Sequence, residues 1–160
     1  MAYSLVRIDD RVIHGQVAMR WSKLYPCDAI IVVDDEIADN SVLAKVYKAA
    51  AFGTKVYIFN KASAFIKLPE AYNSEKKYFV IVKSPNTLLD LMNHDVPLGN
   101  KIIYGPSSKE EGTINLDQKF NLHPSEIESC DKLSANGISI VFQFLPETKA
   151  TKWEEIRNKK

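Results

Sequence analysis

Ala29–Val33 reads AIIVV, five apolar side chains with no polar residue between them. A strand with one face in water alternates apolar and polar positions. An unbroken apolar run of strand length therefore belongs to a strand covered on both faces, as in a parallel sheet between helices. Further strand-like runs lie at residues 4–8, 55–59, 78–82, 101–104 and 138–145, and segments of helical period separate them. In the first of these segments, Gly15–Leu24, the residues Val17, Trp21 and Leu24 form a stripe at i, i+4, i+7, and Pro26 stops it. A second helix, capped by Asp39 or Asn40, runs to about Phe52, with Val42, Leu43, Val46, Ala49 and Ala50 as its buried face and Gly53 ending it. Residues 61–68 form a short helix closed by Pro69, residues 86–93 a helix opened by Pro85, residues 124–134 another, and residues 152–157 a terminal one. Residues 105–122 read as a polar loop, with a short strand at residues 118–120. This alternation predicts an α/β fold with a mainly parallel sheet.

At 160 residues the chain suits a single domain over 1–160. Its hydrophobic fraction of 46% excludes wholesale disorder. Against 21 Lys and Arg stand 20 Asp and Glu, and a net charge of +1 argues against nucleic acid or anionic lipid as partners. No apolar run approaches the ~20 residues that cross a bilayer, and acids stand where a signal peptide needs its apolar core, so a soluble, cytoplasmic protein is expected. Cys27 and Cys130 are too few for a disulfide framework or a metal cluster.

Ligands of open α/β sheets bind beyond the carboxyl ends of the strands. The first such loop, residues 9–14, reads DDRVIH and leads into Gly15. It gathers two acids, an arginine and one of three histidines, with Arg7 at the end of the strand before it. A lone histidine is more often a satisfied structural residue. This one stands where a helix begins, and free N–H groups at a helix start attract an anion. His14, Arg7 and Arg11, with Gly15 and Gln16 at the helix start, are the parts needed to hold a phosphoryl group. An unprotonated imidazole nitrogen can attack phosphorus in line, and one arginine–phosphoryl pair at ~4 Å is worth roughly 4 kcal/mol at an effective dielectric of ~20, before desolvation. Asp9 or Asp10 can bond the other ring nitrogen, or serve only to form the turn and pair with Arg11.

The run RIDDRVIHGQV resembles the signature of the IIB component of the mannose/fructose/sorbose family of the bacterial phosphoenolpyruvate-dependent sugar phosphotransferase system. The likeness continues through Trp21, IIVVDDEIADN and FVIVKSPNTLLDL. It implies a three-layer fold, a central and mostly parallel sheet of about seven strands with helices on both faces. It implies that His14 is transiently phosphorylated, on Nδ1, by the phosphohistidine of a IIA domain. The phosphoryl group then passes to a sugar held by the IIC/IID membrane permease. On this resemblance Arg11 stabilises the phosphoryl group and Asp9 is an acid of the active loop. No cofactor or metal is implied, and a homodimer is admitted. After the fifth strand, GPSSKEEG stands where the family carries a small-residue loop; Ser107 and Ser108 can donate to a phosphoryl oxygen or simply sit in a solvated turn.

His94 at a helix end and His123 before Pro124 read as structural, and neither has metal-ligand spacing. Asp34, Asp35 and Glu36 read as a turn with capping acids, since such a cluster would repel a phosphoryl group. The alternative to a carrier is a non-enzymatic module of the same fold that binds a phosphorylated ligand or a partner. A metal-dependent phosphatase using Asp9, Asp10, Asp34 and Asp35 is the remote third.

Overall fold

The computed structural model describes residues 3–117 and 119–158, leaving the side chain of Gln16 aside. Nine strands and seven helices are seen among the described residues. β1 (Leu5–Ile8), β2 (Ala29–Val33), β3 (Val56–Phe59), β4 (Tyr78–Val82), β5 (Lys101–Tyr104) and β8 (Ser139–Phe142) pair in parallel, and β9 (Thr151–Lys152) closes the edge antiparallel to β8. The order β3-β2-β4-β1-β5-β8-β9 makes a seven-stranded, mostly parallel sheet with β1 near its middle. β6 (Ile114–Asp117) and β7 (Phe120–Leu122) form a separate antiparallel hairpin.

Alternate side chains of the strands enter two different cores. Val6, Ile8, Ile31, Val33, Val80, Val82, Ile102 and Ile140 belong to one. It is covered by α4 (Lys61–Tyr72), α5 (Pro85–Asn93), α6 (Pro124–Ala135) and α7 (Trp153–Asn158), through residues such as Leu68, Leu88, Leu133 and Trp153. Leu5, Ile30, Val32, Val56, Phe79, Ile81 and Ile103 enter the other. That face is covered by α1 (Gly15–Leu24), α2 (Asp35–Ala38) and α3 (Ser41–Ala50). Burial on both faces explains why AIIVV carries no polar alternation: all five residues are buried. The expected three-layer fold is the one observed.

Four details differ from expectation. α4 runs through Pro69 to Tyr72, because a proline in the last turn removes only one bond, and Leu68 and Ala71 hold that turn against the core. α3 turns much of its expected buried face to solvent: Val42 is 71% and Val46 58% exposed. Leu43 and Ala50 pack inward as expected, joined there by Ala44 and Tyr47. Residues 105–122 hold a whole hairpin where one strand at 118–120 was expected; Phe120 lies in β7, and Gln118 is outside the described residues. Strand β8 stops at Phe142 rather than Leu145, because the carbonyls of Gln143 and Phe144 accept from side chains of other elements. The acids after β2 form caps as expected, with the Asp34 carboxylate accepting from the Ile37 N–H.

Candidate functional site

Strand β1 lies between β4 and β5, so the loop at residues 9–14 emerges at the centre of the carboxyl edge of the sheet. Asp9 shapes that loop. Its carboxylate accepts the Arg11 N–H at 3.0 Å while its carbonyl accepts the Val12 N–H at 2.9 Å, the short-range bonding that makes aspartate a turn former. Val12 is driven to φ 61°, the left-handed region that a β-branched residue rarely enters. Burial of Val12 and Ile13 in the α1-side core offsets that strain. With both apolar residues turned in, His14 is turned out to solvent. Gly15 follows at φ 42°, and α1 begins.

His14 is the N-cap of α1, and its side chain makes no capping bond. The first turn of α1 carries no acid, so nothing on the helix neutralises the partial positive charge of its free N–H groups. An anion on the His14 ring would meet that charge. The side chain of Gln16 lies outside the described residues.

Arg7, expected to bind the phosphoryl group, is 2% exposed and is engaged inside the molecule. Its guanidinium donates to the carbonyls of Gln143 at 3.3 Å and Phe144 at 3.0 Å, and lies 4.7 Å over the Trp21 ring. Asp9 stands 3.5 Å away as its counter-ion. Burial lowers the Arg7 pKa to about 10, against the pull of Asp9. Trp21 donates to the same Phe144 carbonyl at 3.2 Å, so Arg7 and Trp21 together tie the segment after β8 to the base of the loop. Gly105 makes that packing possible, since a Cβ there would stand 2.6 Å from Arg7 Nη2 and 2.9 Å from the Ile8 carbonyl oxygen.

Arg11 is the half-exposed arginine of the loop, with Nε 3.5 Å from Asp9 Oδ1. Among the described residues its buried Nε and Nη2 have no acceptor in hydrogen-bond geometry, Nε facing Asp9 as an ion pair. Donors left in that state cost free energy unless a ligand meets them. Asp9 is only 1% exposed and is engaged by both arginines and the loop backbone; among the described residues no carboxylate bonds the His14 ring. Asp9 thus faces Arg7 and Arg11 rather than the imidazole.

The segment after β5 closes the other side. Ser107 Oγ donates to the Asn121 carbonyl at 2.7 Å and accepts the Asn121 N–H at 2.9 Å, while the Asn121 side chain donates back to the Ser107 carbonyl. The Ser107 hydroxyl is thus occupied in pinning the β6–β7 hairpin and is not free for a phosphoryl oxygen. Ser108 is exposed, and its N–H donates to Asp10 Oδ2 at 2.9 Å, joining this segment to the His14 loop. A groove of about 330 Å³ opens between them, walled by Asp10, Arg11, Ser107, Ser108, Lys119, Asn121 and Phe144. Sequence reasoning missed Lys119, Asn121 and Phe144. The rule that ligands gather beyond strand ends pointed to the segment after β8, but reading that strand to Leu145 hid it.

The remaining histidines serve the fold. His94 bonds the Asp90 carbonyl and stacks on Phe65, and His123 meets Glu110 at 2.6 Å. No helix among the described residues is long and apolar enough to cross a membrane.

Comparison with known proteins agrees with this geometry. A family model described as PTS system sorbose subfamily IIB component matches residues 3–160. The chain is 31% identical over 143 residues to the sorbose-specific EIIB component of Lacticaseibacillus casei, covering 88% of this chain and 85% of that protein. It is 30% identical to the mannose-specific EIIAB component of Escherichia coli K12, covering 88% of this chain but 43% of that longer protein. In fold it is similar to the IIBSor domain of the sorbose permease from Klebsiella pneumoniae, with TM-score 0.89 at 24% identity over 99% of this chain and 98% of that one. An exposed histidine at a helix start, three residues after an arginine paired with Asp9, thus lies on a chain matched almost end to end: it belongs to the sorbose subfamily of IIB components of the sugar phosphotransferase system.

Proposed function

We propose that the chain is a cytoplasmic phosphoryl carrier in which His14 accepts a phosphoryl group from the phosphohistidine of a IIA domain and passes it to a sugar held by a IIC/IID membrane permease. The observation that carries this reading is the exposed, uncapped His14 ring at the unneutralised start of α1, next to the unmet donors of Arg11. A IIA donor is supported by the mannose-specific EIIAB relative, whose printed name joins the A and B components in one protein.

In the first half-reaction Nδ1 of the unprotonated imidazole attacks phosphorus. An N–P bond forms on His14 as the donor's N–P bond breaks, and the donor imidazole departs with the electron pair. In the second, a sugar hydroxyl oxygen attacks the same phosphorus, the His14 N–P bond breaks, and the hydroxyl proton leaves to a base on the acceptor side. Arg11 and the α1 N–H groups attract the phosphoryl oxygens in both directions. A pair worth roughly 4 kcal/mol before desolvation at an effective dielectric of ~20 holds the group without trapping it. Asp9 keeps Arg11 in place, and Arg7 supports Asp9 from below.

Incubation with the general phosphotransferase components, a IIA donor and labelled phosphoenolpyruvate tests this directly. Wild type is expected to gain acid-labile, alkali-stable label, and a folded His14→Ala variant none. Label on His14→Ala at the wild-type level overturns the proposal. Anion binding that survives His14→Gln, with no covalent label on wild type, points to the binding module instead.

A further inference from the structure

The carrier reading uses Arg11 and leaves the second cation of the groove without a task. Lys119 stands in the turn between β6 and β7, with Nζ 4.3 Å from the centroid of the Phe144 ring. The guanidinium carbon of Arg11 lies 5.8 Å from the same centroid. One aromatic ring therefore gathers two positive groups, which are no further apart than those two distances together. Like charges so placed repel. Among the described residues no carboxylate pairs with Lys119. Asp10, the carboxylate on the groove wall, accepts from the Ser108 N–H. The hairpin that delivers Lys119 is pinned to residue 107 by three side-chain bonds and by the Ser107 N–H donating to the Lys119 carbonyl at 2.9 Å, so the backbone that carries this exposed lysine is held here rather than on a loose tip.

We infer that Lys119 is a second phosphoryl-binding cation beside Arg11 of the His14 loop, and that Phe144 is the positioning residue that holds both cations against one ring. The inference rests on the carrier reading of His14. Two N–H···O bonds of about 2.9 Å to different oxygens of one phosphoryl group span up to about 8 Å, so one group meets both cations when the exposed Lys119 side chain leans toward Arg11. The ring's electron-rich face attracts each cation and so offsets their mutual repulsion while the site is empty. The arriving anion then meets both charges, and with them the buried Arg11 donors that have no acceptor. No new bond is made to Lys119; it stabilises charge on the oxygens while phosphorus moves between nitrogen and its next acceptor.

The test measures the initial rate of His14 labelling at saturating IIA donor for wild type, Lys119→Gln, Lys119→Arg and Phe144→Leu, with thermal unfolding of each variant as the fold control. Lys119→Gln is expected to slow labelling about tenfold or more at an unchanged melting temperature, and Lys119→Arg to recover most of the rate. Phe144→Leu, which keeps apolar bulk but removes the ring, is expected to fall between them. Labelling of Lys119→Gln at the wild-type rate overturns the inference, as does a defect that vanishes at saturating donor, which would place Lys119 in docking alone. Equal loss in Lys119→Gln and Lys119→Arg also overturns it. Absence of label from wild type is a different failure: it removes the carrier reading itself.

Discussion

Asp9 and Arg7 are buried together beneath an exposed histidine, and that arrangement makes the pair asymmetric under mutation. Arg7 keeps two backbone carbonyls and a tryptophan face as partners, yet its only nearby counter-ion among the described residues is Asp9. Removing one partner of a buried ion pair leaves the other charge uncompensated, at a cost of roughly 3–5 kcal/mol. Asp9→Asn is therefore expected to lower stability by about that amount in urea unfolding, and to slow phosphoryl transfer further by releasing Arg11. A variant that unfolds at the wild-type urea midpoint would show that Arg7 is satisfied by its carbonyls alone. Val12 adds a second tension at this scale: its left-handed backbone costs of order 1–3 kcal/mol, and the loop keeps it because Val12 and Ile13 are both buried.

Among the elements, α3 presents two apolar stripes, one inward through Leu43 and Tyr47 and one outward through Val42 and Val46. Val46→Gln is expected to change stability by no more than about 0.5 kcal/mol, whereas Leu68→Ala, at a fully buried position of α4, is expected to cost about 2–5 kcal/mol. Urea unfolding of the two variants side by side checks the contrast. Periodicity located α3 but could not choose between its stripes, because each side carries apolar residues, Leu43 and Tyr47 on one and Val42 and Val46 on the other. The parallel strands were legible because burial on two faces leaves an unbroken apolar run. The β6–β7 hairpin was not: Ile114 is exposed and its pairing is bulged between Asn115 and Asp117, so its sequence lacks clean alternation. For the same reason the site was only half visible. His14 and Arg11 are neighbours in sequence, while Lys119 and Phe144 reach the groove through a hairpin and a strand end that local pattern did not mark. The partners of Arg7 were not legible because a strand's alternation says which face a side chain takes, but not that backbone carbonyls from residues 143 and 144 would claim it.

For the molecule as a whole, alkaline pH is the condition its buried groups oppose. Burial pushes the Cys130 thiol well above its ordinary value of 9.0 and raises the phenols of Tyr3 and Tyr104 above 10.0; the Cys27 thiol is raised as well. Above pH 9 the unfolded chain releases these protons and the native chain keeps them, so stability falls as pH rises, by up to ~1.4 kcal/mol per pH unit for each group. Arg7 has the opposite sign. Its native pKa is lowered to about 10, so from there upward the unfolded chain binds the extra proton and stability rises by this one group. Urea midpoints measured across pH are expected to decline from pH 9, and Cys130→Val to flatten the curve between pH 9 and 10; an unaltered slope would put the loss elsewhere. The strand order carries a consequence in time as well. Strand β1 pairs with residues 79–82 and 103–104, and Arg7 is held by the carbonyls of residues 143 and 144. A ribosome makes residues 143 and 144 about 130 residues after His14, and the scaffold of its loop is complete only then. At roughly 5–20 residues per second, that delay is on the order of ten seconds. The loop that presents His14 therefore reaches its folded form only after residues 143 and 144 have been made.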